Sequence, residues 1–386
     1  MIHSSPLYRR STRRGVLVPI VAVALVAVMG GIALVLDRMW IEMARQEMRI
    51  ASEASALAAA RQLVSDDFLR SNPHSDQRIL RAKTAAQTVA AQNLVAGRPL
   101  ILHAGTEGDI RLGRLMANPG TNRISFTETS IDPRTVVILA RRNQQRNNPI
   151  ALLMNGISPA ETADVVVTAE ASIENRIIGI RPLPGSTAPV WPLAILSEAA
   201  SNDTRETWSR QILQRLGPDH YSVNENTGAV QRLPDGIPEM TLTFAFESGN
   251  AVLLPFRSAR PGQDLIRMIS SGLSEQDLSI CGGALTPAPS LVLDCSTEAT
   301  GEMASSFRMH FGICRACLLF TSEAIQGQVR CPQMVAIRIL ECHTDSDGIL
   351  QLTIQPGVME TRAAILADNG IASSTNPYIY HLSLTQ

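Results

Sequence analysis

The sequence predicts an α+β protein: one N-terminal transmembrane helix running on into a helical stalk or hairpin, then a β-rich, mostly antiparallel exterior of one or two domains. Three observations carry this. Gly15 to Leu36 contains no charged residue. Met39 to Leu63 contains neither Pro nor Gly. Beyond residue 100 the chain breaks into short apolar or alternating runs separated by Gly, Pro and Asn, which is how strands and turns are written.

At about 1.5 Å per residue, Gly15 to Leu36 makes a rod of roughly 33 Å, matching a hydrocarbon core of about 30 Å. A cleaved secretory signal has a shorter apolar region, about 7 to 15 residues, and a small-x-small cleavage site. Pro19 falls in the first turn, where its missing N–H does no harm, and Trp40 lies just past the far end, where indole rings favour the interface. The anchor residues are thus Gly15, Pro19, Leu36, Asp37 and Trp40. Arg9, Arg10, Arg13 and Arg14 precede the span, whereas Asp37, Arg38 and Glu42 follow it. The positive-inside bias places residues 1–14 in the cytoplasm as a basic tail and about 350 residues outside.

After the span (15–36), residues 37–97 read as a helical stalk or hairpin. Trp40, Ala44, Met48, Ala51, Ser55 and Ala58 form a narrow stripe at three- and four-residue steps, and Glu42, Arg45, Glu47, Arg49, Glu53 and Arg61 lie on the other face. A second helix, "RILRAKTAAQTVAAQNLVAG", aligns Ala82, Ala85, Ala86, Val89 and Asn93, with Gly97 as its stop. "SNPHSD" (71–76) is the turn between the two.

The run from Arg14-Gly15 through Asp37 to "MRIASEASALAAA" (48–60) resembles the N-terminal segment of TadG-like proteins of the Flp (tight-adherence) pilus assembly system. Here Ser52-Glu53 and Ser55 replace the usual Ala-Asp-Ala. "NLVAGRPLILHAGTEGDIRLGRL" and "APVWPLAIL" are similar to passages that follow this anchor in larger bacterial relatives. The resemblance implies a non-enzymatic, single-pass protein of the bacterial inner membrane with a periplasmic C-terminal region, anchoring or scaffolding a pilus or secretion assembly. Its implied partners are the lipid bilayer and other pilus-assembly or envelope proteins. The alternative is an anchored extracytoplasmic enzyme or ligand-binding protein whose site is built from loops without a recognisable motif.

The exterior is nearly neutral, the whole 386-residue chain has net charge −1, and aromatics make up 4% of it; no basic stripe with interleaved aromatics points to nucleic acid. The one dense basic cluster, "ARRNQQRNN" (140–148), reads as a hairpin turn between "TVVILA" and "PIALLM". Two helical interruptions are expected, at 209–217 and 262–278. "RPLPGSTAPVWPLAIL" (181–196) is the candidate boundary between a β-rich domain over 98–196 and a second over 197–386.

All six cysteines, Cys281, Cys295, Cys314, Cys317, Cys331 and Cys342, fall in that last region. An even count outside the cytoplasm favours disulfides, with Cys331 to Cys314 or Cys317 and Cys281 to Cys295 as first candidates. Free buried thiols acting as small hydrophobes, and a metal or redox role, stay open beside this. Zinc is disfavoured because Cys331 and Cys342 lie apart, with "MVAIRIL" between them.

G-x-S-x-G, H-E-x-x-H, Walker and G-x-G-x-x-G motifs are all missing. "HTDSDG" (343–348) imitates a calcium loop, but Pro356 stands where a closing Glu is required, so it reads as a hairpin turn. Asp294-Cys295-Ser296-Thr297-Glu298 falls short of an Asp-x-Ser-x-Ser metal site. No catalytic, cofactor-binding or metal residue is assigned, and no small-molecule substrate is evident.

Overall fold

The computed structural model describes residues 17–385 except 72–74, 106–107, 118–123, 155–159, 200–202, 225–226, 246–247, 257–260, 289–290, 322–326, 347 and 368–374. Gly15, the basic tail and the centre of the 71–76 turn lie outside the described residues.

A single uninterrupted helix, α1, runs Leu17–Arg61. Its first part has mean hydropathy 2.7 and is, among the described residues, the one segment long and apolar enough to cross a membrane. Val18, Val23 and Val26 are each at least 70% exposed, as lipid-facing side chains of an anchor would be. From Ala44 onward the helix changes character. Ala44, Met48, Ala51, Ser55, Ala56, Ala59 and Leu63 are buried, because this half is wedged between a second helix, α2 (Ser75–Gln92), and a β-sheet. The predicted stripe is present but broader than a hairpin alone needs. Ser52 and Ser55 return their buried hydroxyls to the carbonyls of Met48 and Ala51, at 2.7 and 2.6 Å, so both fit among alanines.

On α2 the buried row is Arg78, Ala82, Ala86 and Ala90. Gly97 does not stop this helix. Ala96 and Gly97 both have positive φ, 47° and 74°, and form the two-residue turn of a small hairpin pairing Leu94–Val95 with Arg98–Pro99, the backbone geometry such turns prefer.

Beyond α2, the described residues form two six-stranded sheets. Their strands, in chain order, are β1 (Ile110–Ala117), β2 (Ile124–Glu128), β3 (Thr135–Arg142), β4 (Val165–Glu174), β5 (Val190–Leu196), β6 (Met240–Thr243), β7 (Ala251–Leu253), β8 (Cys314–Phe320), β9 (Gln333–Thr344), β10 (Leu350–Pro356), β11 (Met359–Glu360) and β12 (Ile379–Thr385). The first sheet has the order β11-β12-β4-β3-β1-β2, and the second β6-β10-β9-β8-β5-β7. Pairing is antiparallel except β11 with β12 and β5 with β8. The architecture is α+β, as the alternation of short apolar runs predicts.

Ile138, Ala140, Ala169 and Ala171 of the first sheet face α1 and complete one core with its alanines. The second core gathers Trp191, Trp208, Phe256 and Phe307 around the other sheet, covered by α3 (Pro261–Ser271) and α4 (Gly301–Arg308). The cut at residue 196 does not follow this division. β5, every residue of it buried, lies inside the second sheet, and β12 brings the chain's end back to the first.

Several local expectations change. The helix expected over 262–278 ends at Ser271, because Gly272 sits at φ +85° and a Cβ there would come within 2.2 Å of the Ala188 carbonyl oxygen. The segment 209–217 supplies only one π-helical turn, Ser209–Leu213. Ile150–Ala151 pairs with Thr162–Ala163 rather than with β3, so "TVVILA" and "PIALLM" are not hairpin partners. The 345–349 turn is a hairpin turn: Asp345 accepts from the Ile349 and Gly348 backbone N–H groups.

Candidate functional site

The candidate site of an anchored protein is where its apolar helix is fastened to the rest of the chain, and here that happens twice. The lower fastening lies at the end of the span. Asp37 is 4% exposed, and its Oδ1 accepts the Met154 backbone N–H at 3.0 Å. Trp40, half-buried, donates its indole N–H to the Ala151 carbonyl at 3.0 Å. The two anchor residues therefore bind protein, not only the interface: both reach the short hairpin that leaves β3. Leu36 is half-buried, and Pro19 is exposed in the first turn of α1.

The upper fastening follows the end of α1. Ser65 caps a 3-10 turn, Asp66–Leu69. One oxygen of Asp66 pairs with the Arg338 guanidinium of β9 and the other accepts the Val358 N–H at 2.8 Å. Its neighbour Asp67 pairs with Arg70 and with Arg81 of α2, at 2.8 and 3.1 Å. Arg215 donates to the Leu69 carbonyl at 2.9 Å. Helix, both sheets and the 215–239 segment thus meet on one turn. Nearby, burial pushes Asp235 up to about 6, helped by the negative Asp219 and Asp66. Burial also raises Glu239, whose Oε1 accepts the His220 and Tyr221 N–H groups.

The basic cluster at 140–148 turns inward. Arg142 is buried and reaches the Val95 and Asn148 carbonyls, and Arg146 pairs with the fully buried Asp109. Asp66, Arg338 and Asp109 are not among the site residues predicted from sequence. A readable signal existed for Arg338: a single arginine inside "MVAIRIL" needs a buried partner.

All six cysteines are free thiols, and the bridges named from sequence are not formed. Across the ladders Cys314 faces Arg338, Cys317 faces Val335 and Cys331 faces Leu291. Burial pushes Cys314 and Cys331 up to about 12 and Cys317 well above its usual value, which keeps these sulfurs protonated and unreactive. Among the described residues no group of three or more His, Cys, Asp or Glu converges on a metal position. Among the described residues several clefts open on the surface, and two bear on the question of a ligand. One, of about 520 Å³, is apolar and includes Trp208, Met334 and Tyr378. The other, of about 690 Å³, includes Arg114, Arg134, Glu174 and Arg176, and its arginines are paired with Asp132 and Glu174.

Residues 15–62 match the family model of putative Flp pilus-assembly TadE/G-like proteins. The resemblance read from Arg14-Gly15, Asp37 and "MRIASEASALAAA" therefore holds over α1, and it supports a role in pilus assembly and membrane association. The matched segment ends at residue 62, before the Ser65 cap, so it contains Asp37 and Trp40 but none of the upper fastening. Neither a curated protein nor a solved structure matches the chain significantly.

Proposed function

We propose that the chain is a non-enzymatic, single-pass envelope protein that anchors or scaffolds assembly of a Flp-type pilus or related secretion machinery. Its N-terminus lies in the cytoplasm and its two sheets in the periplasm. The observation that carries this is the TadE/G-like segment coinciding with α1. One helix is the lipid anchor at one end and a packing wall of the exterior core at the other. Without Pro or Gly from Asp37 to Arg61, that helix has no hinge, and force on the exterior passes directly into the span. Arg9, Arg10, Arg13 and Arg14 support the orientation.

The test is deletion of the gene in its native host with complementation by the full chain, together with crosslinking in intact cells. Loss of pili and capture of pilus-system proteins are expected. Normal piliation, with no such protein captured, overturns the proposal. The apolar cleft beside Trp208 and Tyr378 favours a second reading, an anchored ligand-binding protein, and a small molecule retained through purification would support it.

A further inference from the structure

We propose that a second copy of this chain docks against the outward edge of α1, so that two anchors pair as parallel helices along a seam that runs out of the membrane. The inference rests on the assignment of 15–36 as the span and goes beyond it. Ile32, Leu36, Met39, Met43, Gln46 and Ile50 follow one another on α1 at alternating steps of four and three, the spacing that keeps one edge of a helix against a helical partner. The next position, Glu53, is charged and closes the seam. That edge points away from the chain's own core: Met39 and Ile50 lie about half a turn around α1 from Met48, which is fully buried. Both are 63% exposed, and Met43 is 52% exposed.

Lipid covers only the lower part of this edge. Headgroups add about 5–7 Å to each side of the hydrocarbon, whereas Met43 and Ile50 stand about 10 and 21 Å past Leu36 along the helix. These two side chains are left in water, where an apolar edge gains by being covered.

Membrane and charge together say what covers it. Copies held in one bilayer by the same span point their helices the same way, so a two-fold axis along the membrane normal sets this edge of one copy against the same edge of another. An edge that faces itself must carry no unpaired charge, and the flanking charges here are satisfied within the chain. Arg38 and Arg45 pair with Glu42 at 2.9 and 2.8 Å, and Arg49 pairs with Glu53 at 2.8 Å. On the other flank Glu47 accepts the Ala96 N–H at 2.8 Å. The polar residue of the seam, Gln46, has both donor and acceptor and so satisfies its own copy across the axis, and one such amide fixes the register of two helices. The sheets pack on the far side of α1, through Ala44, Met48 and Ala51, and lie outside the pair.

Met43→Cys and Ile50→Cys, made singly in the full-length chain, test this in native membranes treated with copper-phenanthroline. Both native residues are exposed, so the core is untouched, and the parent gives the background from the six native thiols. A species of twice the chain mass is expected at each position, several-fold above the parent and above Arg45→Cys, whose side chain lies off the seam. Mass spectrometry should find the new cysteine joined to its own copy. Absence of the doubled species at both positions, an equal yield at Arg45→Cys, or linkage to a different protein overturns the proposal. Met29→Cys, within the span, separates the two assignments. Protected from a membrane-impermeant maleimide that labels Arg45→Cys, it leaves the span standing while the crosslinks decide the pairing; labelled as readily as Arg45→Cys, it removes the span and the common orientation on which the pairing rests.

Discussion

Asp66 and Arg338, 272 residues apart in the chain, form a nearly fully buried ion pair that joins the turn after the membrane helix to β9 of the second sheet. The Val358 N–H occupies the other Asp66 oxygen. The carboxylate is thus shared between the second sheet and the segment leading into β11 of the first. Gly357 lies against this pair: a Cβ there would stand 2.9 Å from the Arg338 guanidinium and 2.7 Å from the Cys314 sulfur.

Removing one member of a buried pair strands the other charge, which costs about 3–5 kcal/mol, whereas replacing both by apolar or neutral groups is often nearly neutral. Arg338→Ala is therefore expected to lower exterior stability by about that amount. The double change Asp66→Asn with Arg338→Met is expected to recover most of it. Thermal unfolding of the detergent-solubilised protein measures both, and equal losses in single and double variants would show that the pair is not coupled.

Much of α1 was legible because its signals are local. Absence of charge gives the span, and small residues at helical spacing give the packed face. The sheets were legible as strands but not as partners, since apolar runs such as "TVVILA" say nothing about which neighbour they join. The return of β12 to the first sheet depends on a pairing of Leu382 with Ile173 that no short pattern encodes. Gly272 and Gly97 show the same limit on a smaller scale. Gly97 reads as a helix stop and turns a hairpin, whereas Gly272 falls inside the expected helix 262–278 and ends it; which of the two happens depends on the contacts around each. The upper fastening was missed because Asp66 acquires a role only when Arg338 arrives.

Val26 and Ile50 give a second prediction. Both are apolar and exposed on the same helix, at 70% and 63%, but only Val26 lies within the span. Val26→Arg is expected to cost on the order of 3 kcal/mol in insertion and to deplete the protein from membranes. Ile50→Arg should leave membrane fractionation unchanged.

The cysteines give a third. With every thiol free and burial raising each of them, native protein is expected to alkylate slowly at pH 8. Half-buried Cys281 and Cys295 should react first, and Cys314, Cys317 and Cys331 last. Unfolded without reductant, the chain should take up label at all six positions by mass spectrometry. A chain that needs reductant to reach six would carry the disulfide that the structure lacks.

Asp235 gives the last, through pH. Burial raises its carboxyl from 3.8 to about 6, so between those values the folded protein holds a proton that the unfolded chain has lost. Stability from this group is therefore greatest below about pH 4 and falls as pH rises to about 6. Other carboxyls work in the opposite sense. Against the effect of burial, hydrogen bonds from Arg176 hold Glu174 low, and those from Arg267 and Ser274 hold Asp277 low. Total stability against pH therefore mixes both, and a comparison of two variants isolates Asp235. Asp235→Asn keeps an Oδ1 that can accept the Ile237 N–H and the Gln355 amide, now at 3.1 and 3.0 Å, and removes the charge. It is expected to match the parent at pH 4 and to exceed it by about 1–2 kcal/mol at pH 7, allowing for solvent around this half-buried carboxyl. Urea unfolding at the two pH values reads the difference directly, and a gain that is the same at both would place the effect in packing rather than in ionisation of Asp235.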